Sequence, residues 1–195
     1  KSCACFRRFK LGDAARSTGN PANQLFSRAC LRFFVDNSLL DFEGFTMPMR
    51  IGTPLPALDG ATDWRNGRVT TEELRGYIVL VHFWAVSCGI CSEQMPRVNA
   101  WRDNLAEKGV RIVSIHMPRY EADTHLPLVD EAIAKYGLTQ PCAIDNLHRL
   151  ADAFGNEFVP AFYLFDREGK LKSFASGENA ARLIQPALER LLDNA

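Results

Sequence analysis

Residues 84–96 read WAVSCGICSEQMP, with two cysteines, Cys88 and Cys91, separated by two residues and a proline five residues after the second. Three chemistries use this spacing: a zinc clip, a structural disulfide and a dithiol that exchanges electrons. The flanking sequence bears on the choice. Residues 77–84, YIVLVHFW, are a nearly unbroken apolar, β-branched run, the pattern of a central strand covered on both faces. After Cys91 the apolar positions Met95, Val98, Trp101 or Ala100, and Leu105 recur at helical spacing, and Gly109 supplies a stop. The cysteine pair is therefore expected at a strand-to-helix junction, at the N-terminus of the helix.

A zinc site of this kind normally needs a second Cys or His pair, and the histidines (His82, His116, His125, His148) show no paired spacing. A disulfide closing so short a loop restricts the unfolded chain little, because the entropic gain grows with loop length. The electron-exchange reading has a positive cause. A helix N-terminus carries partial positive charge and unpaired N–H groups that stabilise a thiolate on the first cysteine. Cys88 is thus the expected nucleophile, with a thiol pKa falling from about 8.5 to near or below 7, and Cys91 the expected resolver of a mixed disulfide.

The rest of the chain alternates strand and helix. Residues 110–117, VRIVSIHM, read as a second buried strand, and Leu128, Val129, Ala132, Ile133 and Tyr136 mark a helix ending at Gly137. QPCAID (140–145) reads as a short strand, with Asn146 expected to cap a helix through LHRLADAF to Gly155. PAFYLFD, REGK and LKSFA (160–175) predict a β-hairpin turning at Glu168 and Gly169. Leu183, Ile184, Ala187, Leu188, Leu191 and Leu192 form a final helical stripe interrupted by Pro186. Alternation of this kind predicts a mixed α/β sheet with helices on both faces.

The stretch FWAVSCGICSEQMP resembles the thioredoxin superfamily, in particular its TlpA- and ResA-like thiol-disulfide oxidoreductases, whose motif runs W-A-x-W-C-x-x-C-x-x-E-x-P. Trp84, Ala85, Cys88, Cys91 and Pro96 match, and Glu93 stands one residue early. The resemblance spans roughly residues 51–192 and includes FVPAFYLFD (158–166), similar to the family's V-P-T-x-x-L-I-D. It implies a thioredoxin fold in which Pro160 is the cis-proline facing the cysteines. It also implies that Trp84, Val159 and Pro160 surround a bound substrate, with Val159 offering backbone hydrogen bonds.

The departures are informative. His82 stands where thioredoxin has a buried aspartate that relays a proton to or from the second cysteine. Imidazole titrates nearer neutrality than a carboxylate, so His82 is either a proton acceptor for Cys91 or a core histidine bonded to backbone. Ser87 replaces the family's second tryptophan, which predicts a more open rim around the dithiol, and the intervening dipeptide is Gly89-Ile90 instead of Gly-Pro. Glu93 reads as a solvated first-turn residue and Cys142 as a small buried hydrophobe. Cys3, Cys5 and Cys30 read as adventitious thiols. A copper site at His116 and Met117 lacks further soft ligands.

Balanced charge, 23 acidic and 23 basic residues in 195, gives no basic field that would make nucleic acid a default partner. With 47% hydrophobic residues a sizeable core is available, and no run approaches a membrane span. Residues 1–46 mix basic, small and turn residues and are expected to be a poorly ordered or loosely docked extension, ahead of a thioredoxin-like domain at 47–195.

The resulting expectation is a reductant of protein or small-molecule disulfides that needs no dissociable cofactor or metal and draws on an unidentified electron donor. Rival readings are a peroxiredoxin-like thiol peroxidase, which would normally carry a threonine where Ala85 stands, and a non-catalytic thioredoxin-fold binding module. Cytoplasmic residence is expected from the visible chain, or an extracytoplasmic one if an export signal precedes Lys1, as the family resemblance favours.

Overall fold

The computed structural model of the chain describes residues 49–193; the expected extension at 1–46, with Cys3, Cys5 and Cys30, lies outside the described residues. Among the described residues, strands β1 (Asp63–Arg65), β2 (Ile78–Trp84), β3 (Val110–His116), β4 (Cys142–Ile144), β5 (Ala161–Phe165) and β6 (Leu171–Ser176) form one sheet. Its order is β1-β4-β3-β2-β5-β6. β2, β3 and β4 run parallel, while β5 and β6 pair antiparallel and β1 pairs antiparallel with β4. Helices α1 (Gly89–Leu105), α2 (Leu126–Tyr136), α3 (Arg149–Phe154) and α4 (Ala180–Asp193) and a 3-10 turn at Glu121–Thr124 complete the domain.

All seven residues of β2 are buried, as its apolar run requires, and strand alternation divides them between two cores. Val79, Val81 and Phe83 pack over Leu150 and Phe154 of α3. Ile78 and Leu80 pack with Phe162 against Val98 and Trp101 of α1 and Ile184 and Leu188 of α4. A third cluster joins Trp84, Cys88, Cys91 and Met95 to Val129 and Ile133 of α2 and to Cys142 and Ile144 of β4. The dithiol thus has a core behind it and sits at the carboxyl end of the central parallel strand, where open α/β sheets place their ligand sites.

Two expectations are corrected, and one strand has no counterpart in the sequence reading. Asn146 does not cap α3. The Asp145 carboxylate accepts from the Leu150 and Ala151 N–H groups at 3.1 and 2.8 Å. Asn146 instead donates through Nδ2 to the Thr124 carbonyl at 3.0 Å. His148, immediately before α3, has φ 55°, and this turn carries the backbone past the position where Asn146 would cap. Leu128 and Leu183 belong to their helices but are 43% and 59% exposed, one position off the buried stripe. β1, at three residues with a polar start, is too short for periodicity to reveal and is set by pairing with β4.

Candidate active site

Cys88 is the N-cap of α1, with extended backbone, and its sulfur accepts the Cys91 N–H at 3.1 Å. It is joined to Cys91 by a disulfide with Cα atoms 5.2 Å apart. The two sulfurs partner each other, and no group of three or more His, Cys, Asp or Glu among the described residues is placed to hold a metal ion. Cys88 is 4% exposed and Cys91 fully buried. Only Cys88 therefore faces solvent, and when reduced its sulfur lies where the first-turn N–H groups and the helix dipole favour a thiolate.

In front of Cys88 lies a cavity of about 290 Å³ lined by Ile90, Met117, Arg119, Phe158 and Val159 among others. The Val159–Pro160 peptide bond is cis, and Pro160 is buried directly before β5, which pairs with β2. Asn156 shapes this wall. Its Nδ2 donates to the Phe158 carbonyl at 3.0 Å and contacts Met117 Sδ at 3.4 Å, and its Oδ1 accepts from Tyr163 Oη at 3.1 Å. A lone Asn after a helix-ending glycine looks like any loop residue in sequence. Nothing there signals that it ties the 156–160 loop to Met117, just after β3, and to β5.

Trp84, expected at the substrate, is fully buried and outside this cavity. As the last residue of β2 it points into the third cluster, edge-on to His116 (5.0 Å) and Tyr136 (6.5 Å). Its place is behind the dithiol, as packing. Cys142 shares that cluster, and burial pushes its thiol up to about 12, so it remains protonated at neutral pH. Glu93 is exposed.

His82 is fully buried and stacks on Phe162, which also meets Trp101 of α1, so the imidazole lies on the α1 side of the sheet. Neither ring nitrogen has a hydrogen-bond partner, and burial lowers its pKa to about 3. The backbone-bonded core histidine is therefore not what the structure contains.

The turn between β2 and Cys88 is held by the end of β3 and the 3-10 turn. Met117 N–H donates to the Trp84 carbonyl at 2.8 Å, Val86 N–H to His116 Nε2 at 3.4 Å, and Ser87 Oγ to Asp123 Oδ2 at 2.7 Å. His116 is also buried, and burial lowers its pKa to about 4 against an opposing pull from Asp123. The rim expected to open at Ser87 is thus tied back through its hydroxyl.

Comparison with known proteins places this geometry. The model of the AhpC/TSA family matches residues 51–174. Thiol-disulfide oxidoreductase YkuV of Bacillus subtilis is 41% identical over 145 residues, which is 74% of this chain and 97% of that protein. Thiol-disulfide oxidoreductase ResA of Bacillus anthracis is 28% identical over 143 residues, 73% of this chain and 79% of that protein. The solution structure of a thioredoxin-like protein in the oxidized form superposes with a TM-score of 0.70 at 40% identity, covering 75% of this chain and 99% of that one.

Proposed function

The chain belongs to the AhpC/TSA family of thioredoxin-like proteins, and on that premise we propose that it is a thiol-disulfide oxidoreductase that reduces disulfides of protein or small-molecule substrates. The carrying observation is the asymmetry of the dithiol: Cys88 caps α1 and faces a cavity, while Cys91 is sealed one turn below. In the reduced protein the Cys88 thiolate attacks a substrate sulfur. A Cys88–substrate bond forms, the substrate disulfide breaks, and the first substrate thiolate leaves and takes up a proton. Cys91 then gives up its proton and attacks Cys88 Sγ, which releases the second substrate thiol and leaves the Cys88–Cys91 disulfide. Two electrons pass from the dithiol to the substrate, and an external dithiol donor restores the starting state. No dissociable cofactor enters these steps.

Of the two roles open to His82, proton acceptor for Cys91 or core residue, we propose the first as the one to test. Both its nitrogens are unpaired and it lies on the α1 side of the strand leading to the motif, while burial, which lowers its pKa to about 3, opposes the protonated form. Val159 and Phe158 line the substrate side of the cavity, with Ile90 across from them on α1. The absence of an oxidising dipeptide such as Pro-His between the cysteines supports the reducing direction, and a reductant fits the cytoplasm, where thiols are kept reduced.

The test is reduction of insulin disulfides by the reduced protein, with a Cys91→Ser variant as a trap. The expected result is turnover by the wild type, a covalent adduct through Cys88 in Cys91→Ser, and neither in Cys88→Ser. No adduct and no reduction would make the domain a binding scaffold. Rapid hydrogen peroxide consumption dependent on Cys88 would make it a peroxidase, although Ala85 offers no hydroxyl three residues before Cys88.

A further inference from the structure

We propose that Asp123 is a positioning residue for the dithiol, acting through Ser87, and that its negative charge holds Cys88 at a more reducing potential than a neutral clamp would. The inference rests on the oxidoreductase reading above. Asp123 lies in the 3-10 turn after β3 and is 4% exposed, an unusual place for a carboxylate on a short surface element. One of its oxygens, Oδ2, accepts both Ser87 Oγ–H at 2.7 Å and the Arg119 N–H at 2.9 Å. Ser87 precedes the nucleophile by one residue and is itself exposed, so its hydroxyl had water as an alternative partner. Being held instead by a buried carboxylate fixes the chain that enters the N-cap.

The same oxygen ties the dithiol turn to the backbone of Arg119, a residue that lines the cavity in front of Cys88. Position of the nucleophile and shape of the groove therefore depend on one carboxylate. Its charge has a second consequence. The helix N-terminus stabilises the Cys88 thiolate, whereas a carboxylate bonded to the preceding residue opposes it. Arg119 and Glu157 line the cavity with Cys88, and His116, held neutral by burial, meets the same turn through the Val86 N–H. Asp123 brings a carboxylate into direct hydrogen bonding with Ser87, the residue before Cys88. A less stabilised thiolate means a less stabilised reduced form, hence a stronger reductant.

Asp123→Asn tests this, because the amide oxygen can still accept from Ser87 and Arg119 while the charge is gone. The readouts are the pH profile of Cys88 alkylation by iodoacetamide and the exchange equilibrium with glutathione. The expected result is a Cys88 pKa lower by roughly half a unit to one unit and an equilibrium shifted about five-fold toward the reduced protein. Ser87→Ala, which keeps the charge and removes the tether, should slow substrate reduction with a smaller shift in the equilibrium. Asp123→Glu should restore the wild-type direction of both readouts. An Asp123→Asn protein that folds and matches the wild type in both overturns the proposal while wild-type exchange still stands. A wild type that exchanges no disulfide through Cys88 overturns the proposal and the function it rests on together.

Discussion

His82 and Phe162 lie ring on ring, with centroids 4.7 Å apart and 15° between their planes, and the imidazole nitrogens have no hydrogen-bond partner. An apolar ring of similar size can take this place without leaving a polar atom unpaired. His82→Phe is therefore expected to fold at least as stably as the wild type. If the imidazole accepts the Cys91 proton, release of the mixed disulfide should slow by about 10²-fold, the lower end of what a positioned general base contributes, and its pH profile should change shape. Stopped-flow tryptophan fluorescence during reduction of a model disulfide reads this step. An unchanged rate and profile in the folded variant would remove His82 from the mechanism.

Buried neutral imidazoles make the protein acid-sensitive. His82 and His116 have folded pKa values of about 3 and about 4, both depressed by burial, against about 6.5 in the unfolded chain. The unfolded state therefore binds more protons below pH 6.5, and stability falls as pH drops from 6.5 toward 4. Between pH 7 and pH 5 each histidine should cost up to about 2 kcal/mol. Urea unfolding at the two pH values measures the sum, and in His82→Phe about half of the loss should disappear. An equal loss in that variant would contradict burial of His82 as a neutral base.

At α3, Asp145→Ala leaves the Leu150 and Ala151 N–H groups without their acceptor. Burial raises the pKa of this carboxyl, and the two backbone hydrogen bonds oppose the rise. Removing it should destabilise the domain by about 1–2 kcal/mol, the range for a lost cap. Asn146→Ala is a less direct test of α3, since Asn146 reaches Thr124. Chemical denaturation of both variants checks the assignment. A larger loss at Asn146 with none at Asp145 would reverse it.

The groove should be sensitive at Phe158 and Asn156 in different ways. Phe158 is 65% exposed beside Val159, so Phe158→Ala removes contact area for a substrate without touching the core. It should raise KM for a protein disulfide several-fold and leave reaction with a small disulfide such as oxidised dithiothreitol nearly unchanged. Asn156→Ala breaks the tie between Phe158, Tyr163 and Met117, and should slow both substrates while lowering stability by about 1–3 kcal/mol. Equal effects of Phe158→Ala on the two substrates would argue against a protein-contacting role for that ring.

Local sequence rules carry the fold class and the position of the cysteine pair. A β-branched run ending in CxxC, followed by helical periodicity, forces a buried strand into a helix whose N-terminus meets the first cysteine, and those local rules survive intact in β2 and α1. Tertiary structure decided what surrounds those atoms. Trp84 faces the core because strand alternation and the α2 packing leave it no path to the groove. Asp145 displaces Asn146 as a cap because a left-handed turn at His148 intervenes. Asp123 and Asn156 join the site from 36 residues after Ser87 and 39 residues after Met117. Such partnerships rest on buried hydrogen bonds between segments distant in sequence. Periodicity and spacing report neighbours along the chain, whereas the surroundings of this dithiol are built from neighbours across it.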